Sequence, residues 1–338
     1  MTLPLSVLDL SPVASGRPPS QALHETVELA RSTEAAGYSR FWVAEHHNIA
    51  SVTSSAPEVM IATVAAATSR IRVGAGGIML PNHAPLKVAE TFRVLEGLHP
   101  GRIDLGIGRA PGTDQLTAFA LRRSREALAA NDFPQQYSEL LGYVDGFPEG
   151  HPFAPVVAQP TDVALPPVWI LGSSLYGAQA AAAYGTGFAY AGHFGEADPA
   201  EAIRLYREGF RPSGRPGGPD APRAILAVAA IVADTADEAQ ELGRAAALSM
   251  VRLRQGRPGP LPSPEEAAAH PWTGQEEQMA QAFSRFATVG TPEVVWEALQ
   301  RRAKEADADE LMVTTNVHDP VARRRSYDLL AQVPCLGA

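Results

Sequence analysis

The chain has one cysteine, Cys335, among 338 residues. That excludes a disulfide scaffold and a thiolate zinc site with it. No stretch approaches ~18 uninterrupted apolar residues, so no membrane span is expected. The opening MTLPLSVLDLSPV lacks a basic region ahead of its apolar residues. This argues against a signal peptide and makes the cytoplasm the default compartment. Basic residues are outnumbered, 28 against 37, for a net charge of −9. Such a surface is a poor match for a phosphate backbone, so no nucleic-acid partner is expected. Charged residues reach only 19% while apolar residues reach 45%. That balance excludes disorder and supplies a sizeable core.

What is present is a rhythm. Short apolar runs at 5–10, 40–44, 71–75, 102–107, 167–171, 187–191, 224–232 and 310–314 read as strands. Helical patterns fall between them at 21–36, 57–68, from Pro85 to Leu98, and at 175–184, 199–210, 236–254 and 292–305, with a last one to about 330. Ser20 sits where a cap for the first helix belongs, and Gly37 supplies its stop. Ala89, Phe92, Leu95 and Leu98 form the stripe of the third. The strand runs are continuous rather than alternating, as a parallel sheet buried on both faces requires. Eight strand–helix units predict an α/β fold, a (β/α)8 TIM barrel with insertions, as one domain over 1–338. An open doubly wound sheet is the alternative. Two Pro- and Gly-rich insertions break the rhythm, at about 132–166 (with a helix near 133–141) and about 255–285, of which 255–275 is loop-like.

In such a barrel the chemistry sits at the C-terminal ends of the strands. Glu45, His46, His47 and Asn48 follow the second strand, Gly76 and Gly77 the third, and Gly108 and Arg109 the fourth. Gly172, Ser173 and Ser174 follow the fifth, His193 the sixth, and Thr315 and Asn316 the eighth. Neighbouring residues on a strand point to opposite faces, so Glu45, His46 and His47 are poorly placed to chelate one ion. No second cluster has ligand spacing, and no metal is expected. Either one imidazole faces the barrel mouth as a hydrogen-bond donor or proton carrier, or these residues hold helices or a subunit interface together. GAGG at 74–77 offers a backbone that a flat ligand can approach closely, or else a rim bulge. GIGRAPG at 106–112 has the outline of a dinucleotide fingerprint, but Pro111 interrupts the helix that should begin there. Ser173 and Ser174 sit between a strand and a helix start, where free amides and hydroxyls form an anion cup or a plain cap. With Arg109 on the neighbouring strand end, phosphate is the favoured ligand.

These residues resemble the bacterial luciferase-like monooxygenase family. The blocks that carry the resemblance are FWVAEHHN (41–48), VGAGGIMLP (73–81), APLKVAE (84–90), LHPGRIDLGIGRAPG (98–112), PVWILGSS (167–174), VGTP (289–292) and DELMVTT (309–315). The resemblance implies that His46 is the active-site histidine beside a flavin ring. It implies that Gly76 and Gly77 lie against that ring, often through a non-proline cis peptide. Arg109, Ser173 and Ser174, with Gly172, match phosphate-holding positions, and His193 lies near a ring-contacting one. His47 and Glu90 match positions near a dimer interface, and 255–275 falls where the family carries a mobile loop. Light-emitting members have a cysteine near Gly108 and work as unlike subunit pairs, so the glycine here argues against light emission. The implied activity is oxygenation of a small organic substrate by O2 with reduced FMN, supplied by a separate flavin reductase to a homodimer. The deazaflavin F420 with hydride transfer, or flavin binding without turnover, are the alternatives the same fold allows. A sugar-phosphate isomerase barrel would place its phosphate cup after strands seven and eight rather than five.

Overall fold

In the computed structural model, which describes residues 3–336, the apolar runs pair side by side in parallel. The strands are β1 (Leu5–Asp9), β2 (Arg40–Val43), β3 (Arg72–Ala75), β4 (Ile78–Met79), β5 (Ile103–Gly108), β6 (Val168–Gly172), β7 (Gly187–Ala191), β8 (Ala224–Val232), β9 (Ala287–Gly290) and β10 (Glu310–Thr314). The ring runs β1-β2-β3-β5-β6-β7-β8-β10 and returns to β1. Closure is made by β10, which pairs Val313 with Val228 on one side and with Val7 on the other. An open sheet is therefore excluded, and the fold is a (β/α)8 barrel. The two short strands are additions. β4 resumes β3 after Gly76–Gly77 and pairs Ile78 with Ile107, while β9 pairs with the far half of β8.

Side chains alternate across the barrel wall, as the pleat dictates. Val7, Phe41, Val73, Leu105 and Val313 belong to the large outer core shared with the helices. Leu8, Trp42, Trp169, Ala227 and Met312 form the interior cluster, in which the two indoles meet edge to face at 5.6 Å. One layer nearer the N-terminal ends of the strands, the interior is charged. Asp104 is fully buried and accepts from Arg40 Nη1 at 2.8 Å, Arg72 Nη2 at 2.6 Å and Trp42 Nε1 at 3.1 Å. Glu310 accepts from Arg40 Nε at 3.0 Å and from the Ser6 hydroxyl. Buried charges need partners of this kind. The layer plugs one end of the barrel, so ligand space is left only at the other.

Several local expectations are corrected. The first helix runs Pro19–Ala35, with Pro18 rather than Ser20 at its cap position. Pro19 takes the first-turn place where a missing N–H costs nothing. Leu98 is 65% exposed and ends the core stripe at Leu95. The stretch after β5 carries two unforeseen helices, Gln115–Arg122 and Arg125–Ala129, capped by the side chains of Asp114 and Ser124. The helix in the first insertion extends over Phe133–Asp145. The second insertion is not a plain loop: it folds into Pro264–Ala269 and Gly274–Phe283, the latter with a Thr273/Glu276 capping box. It is stitched to the rim beyond β1 by backbone bonds from Leu261 N to Val13 O (2.7 Å) and from Ser15 N to Leu261 O (2.9 Å). No helix among the described residues is long and apolar enough to cross a membrane.

Candidate active site

A cavity of about 520 Å³ opens at the C-terminal end of the barrel. Its wall contains His46, Gly76, Arg109, Gly172, Ser173, Ser174 and His193. The seven come from five different strand ends, and barrel closure brings them to one rim. Gly77 does not line the cavity. A Cβ there would stand 2.8 Å from Gly106 O, so this residue permits β4 to lie against the backbone of β5. The peptide between Gly76 and Gly77 is cis. At Gly76 a Cβ would meet Leu8 Cδ1 at 2.5 Å, so bare backbone forms the wall.

The EHHN segment splits in two. Glu45 turns away from the cavity and is fully buried. Its carboxylate accepts from His47 Nε2 and His83 Nε2, both at 2.9 Å, and from Met79 N at 2.8 Å. Burial pushes the Glu45 carboxyl up, but its bonds from His83, His47 and Met79 outweigh that and hold it below the usual range. His83 is shifted the opposite way: burial lowers it, and Glu45, aided by Glu58, raises it by more. His46, with its backbone N–H on Ser54 O at 2.8 Å, is the member that reaches the cavity. Burial keeps its imidazole below the ordinary histidine value against the field of Glu45. His193, in the turn after β7, is pushed down to about 4, first by burial and then by His46. Both rings are therefore neutral near pH 7. The Nδ1 atoms of both are buried without a hydrogen-bond partner in the protein, an unusual state for such groups.

On the opposite arc, Ser174 is the cap residue of helix Leu175–Tyr184, and no side-chain cap bond closes that helix end. Gly172 and Gly177 pack so closely that a Cβ on the first would lie 3.1 Å from Cα of the second. This sharp strand-to-helix turn leaves the first-turn amides pointing into the rim. Arg109 lies with its guanidinium 4.2 Å from the centroid of the Tyr176 ring. Among the described residues no carboxylate pairs with it. A free cation, two hydroxyls and a helix amino end make a coherent anion cup. The helix that a dinucleotide fingerprint would need after GIGRAPG is absent: the next helix begins only at Gln115. No group of three His, Cys, Asp or Glu among the described residues is arranged to hold a metal ion.

Several wall residues were not singled out from the sequence. Met79 follows the glycine pair, and Tyr176 stacks on Arg109. Met250 and Phe283 reach in from the second insertion and the helix before it. A glycine pair closing an apolar run could have pointed to Met79; for Phe283, a helix read from the Thr273/Glu276 spacing would have been needed.

A model of luciferase-like monooxygenases matches residues 3–310. The chain belongs to that family. Similar luciferase-like monooxygenases include one of Escherichia coli strain K12, 40% identical over 332 residues that cover 98% of this chain and 97% of that protein. The N-acetyl-S-alkylcysteine monooxygenase of Bacillus subtilis strain 168 is 35% identical over 328 residues, 97% of each chain. Among solved structures, apo-MsnO8 matches this chain with a TM-score of 0.88 and 39% identity over 98% of both chains. Two more distant proteins share the fold, and that likeness shows the fold alone. One is the oxygenating constituent of 3,6-diketocamphane monooxygenase from Pseudomonas putida in complex with FMN, with TM-score 0.70, 18% identity and 98% and 97% of the two chains covered. The other is an F420-dependent secondary alcohol dehydrogenase, with TM-score 0.68, 15% identity and 98% of both chains covered.

Proposed function

We propose that the protein is an FMN-dependent monooxygenase acting on a small organic substrate. One observation carries this: among the described residues, the same apolar cavity has a cation with no carboxylate partner beside a helix amino end on one arc and two buried imidazoles whose Nδ1 atoms lack a hydrogen-bond partner on the other. A flavin mononucleotide has matching ends, a dianionic phosphate and a flat heterocycle bearing hydrogen-bonding atoms. Membership in a monooxygenase family, and the FMN held by a barrel of the same fold, support the choice.

Bound FMN, once reduced, would supply the reaction with O2 and the oxygen transfer, chemistry that no side chain provides. Arg109, the hydroxyls of Ser173 and Ser174 and the first amides of helix Leu175–Tyr184 would hold the phosphate. The backbone at Gly76 would support the ring face, and His46 would hold a hydrogen bond at its polar edge as the catalytic residue. His193 would contact the ring from the next arc. Their neutral state suits them to donate or accept one hydrogen bond without adding charge to the site. The apolar walls exclude water. We further propose that a separate reductase delivers reduced FMN, and that the chain works as a homodimer, which equilibrium sedimentation checks. In support, every strand named above belongs to the one barrel sheet.

Titration with FMN, riboflavin and F420 tests the cofactor. FMN is expected to bind at least about tenfold more tightly than riboflavin, since two or three charge-assisted bonds go to the phosphate. Reduced FMN and O2 with candidate substrates should then give an oxygenated product. Binding of F420 in place of FMN would move the assignment to hydride transfer. FMN retained through purification, with no consumption of reduced flavin, would make it a binding protein.

A further inference from the structure

Away from the phosphate cup, the cavity wall is mainly apolar, with Leu10, Met250 and Phe283 among its side chains and the uncharged hydroxyls of Ser51, Ser249 and Thr314 between them. Arg109 is the one charged residue among those lining it; no aspartate, glutamate or lysine reaches the wall among the described residues. At the end of β10, Asn316 also lines the cavity. It is partly exposed there, and its amide makes no hydrogen bond within the described chain. An amide offers both a donor and an acceptor and carries no charge.

We propose that this arc takes an uncharged, mainly apolar substrate whose polar group is read by the Asn316 amide, and that carboxylates and ammonium ions are rejected. The inference rests on the cofactor reading, because an Arg109 not engaged by phosphate could pair with an acid. The physical reason is desolvation. A carboxylate or ammonium entering an apolar cavity loses its water and finds no counter-charge, whereas a neutral carbonyl, hydroxyl or amide exchanges one hydrogen bond for another.

Octanamide, octanoate and octylammonium share one tail and differ only in the charge of the head. Calorimetric titration into protein saturated with FMN is expected to show octanamide binding at least about 30-fold more tightly than either ion. Asn316→Leu should weaken octanamide about 3–10-fold, one hydrogen bond's worth, while Asn316→Gln, which keeps the amide, should bind it within about threefold of the parent. Octanoate binding to the FMN-loaded protein as tightly as octanamide overturns the charge argument and leaves the cofactor reading standing. Octanamide affinity unchanged in Asn316→Leu overturns the role of Asn316. A protein that binds no FMN fails the cofactor reading instead. The same titrations on the free protein then decide: octanoate binding that is abolished by Arg109→Ala overturns the inference, and a persisting preference for octanamide supports it.

Discussion

Removing Glu45 tests how the His46 segment is held. The carboxylate is fully buried and serves three donors: His47, His83 and the N–H of Met79. In Glu45→Ala each donor loses its acceptor, at about 1–3 kcal/mol for a group that stays buried. His47 and His83 are 17% and 30% exposed and can recover part of this from water. A total of about 3–5 kcal/mol is therefore expected, in line with breaking a buried charged pair. Glu45→Gln keeps shape and one acceptor oxygen but no charge, and should cost about 1–3 kcal/mol. The pH dependence separates charge from packing. His83 is raised above its ordinary 6.5, so its share of stability is complete below that value and fades as pH rises through the raised one. Glu45 is lowered below its ordinary 4.5, so its share is present above that value and is lost as pH falls through the lowered one. The cluster thus stabilises most between about 4.5 and 6.5. Urea unfolding across pH gives the stability, and NMR titration of the His83 ring gives the coupling. In Glu45→Gln the His83 midpoint should fall below its ordinary 6.5, since burial then acts against Glu58 alone. A midpoint that stays raised, or a Glu45→Ala variant within 1 kcal/mol of the parent, would refute this account.

Three further outcomes are expected. Arg109→Ala should weaken FMN about 10–100-fold and leave riboflavin binding unmoved, as fluorescence titration reads, because only the phosphate loses a charged partner. His193 is held neutral down to about 4, whereas the unfolded chain protonates at 6.5. Stability that is complete above 6.5 should fall by up to about 3 kcal/mol as pH drops toward 4, and His193→Gln should lack this part of the fall. Gly106→Ala would set a methyl 1.9 Å from the carbonyl oxygen of Ala75, a backbone atom that cannot swing aside; about 3 kcal/mol or more should be lost in denaturant melts.

The barrel was legible because its strands are long apolar runs. β7, β8 and β10 and the helices Leu175–Tyr184 and Ala236–Arg254 coincide with the ranges read from periodicity. The two-residue β4 and the sequence ATVG of β9 carry too little pattern to be read as strands. The helices after β5 and in the second insertion had legible caps, Asp114 and Ser124, and Thr273 with Glu276 three residues on. Prolines and glycines nearby masked them. The rim residues could be gathered from sequence because strand ends converge by topology alone. The partnership of Glu45 with His83, 38 residues away, could not. Nor could the charged layer of Arg40, Arg72, Asp104 and Glu310, since it depends on the register of four strands.

The fork at Ala229 makes the two ligand arcs separable. There β8 leaves β10 and takes up β9 instead: residues up to Ala229 pair with β10, and those from Ala229 to Val232 pair with β9. Everything from 233 to 286 is thus a single loop-out between two strands held on the same branch. Met250, Leu261 and Phe283 belong to this excursion, while His46, Arg109, Ser173 and His193 stand on other strand ends. A descendant gene could exchange the whole excursion as a cassette and reshape that side of the cavity without disturbing the residues proposed to hold the cofactor.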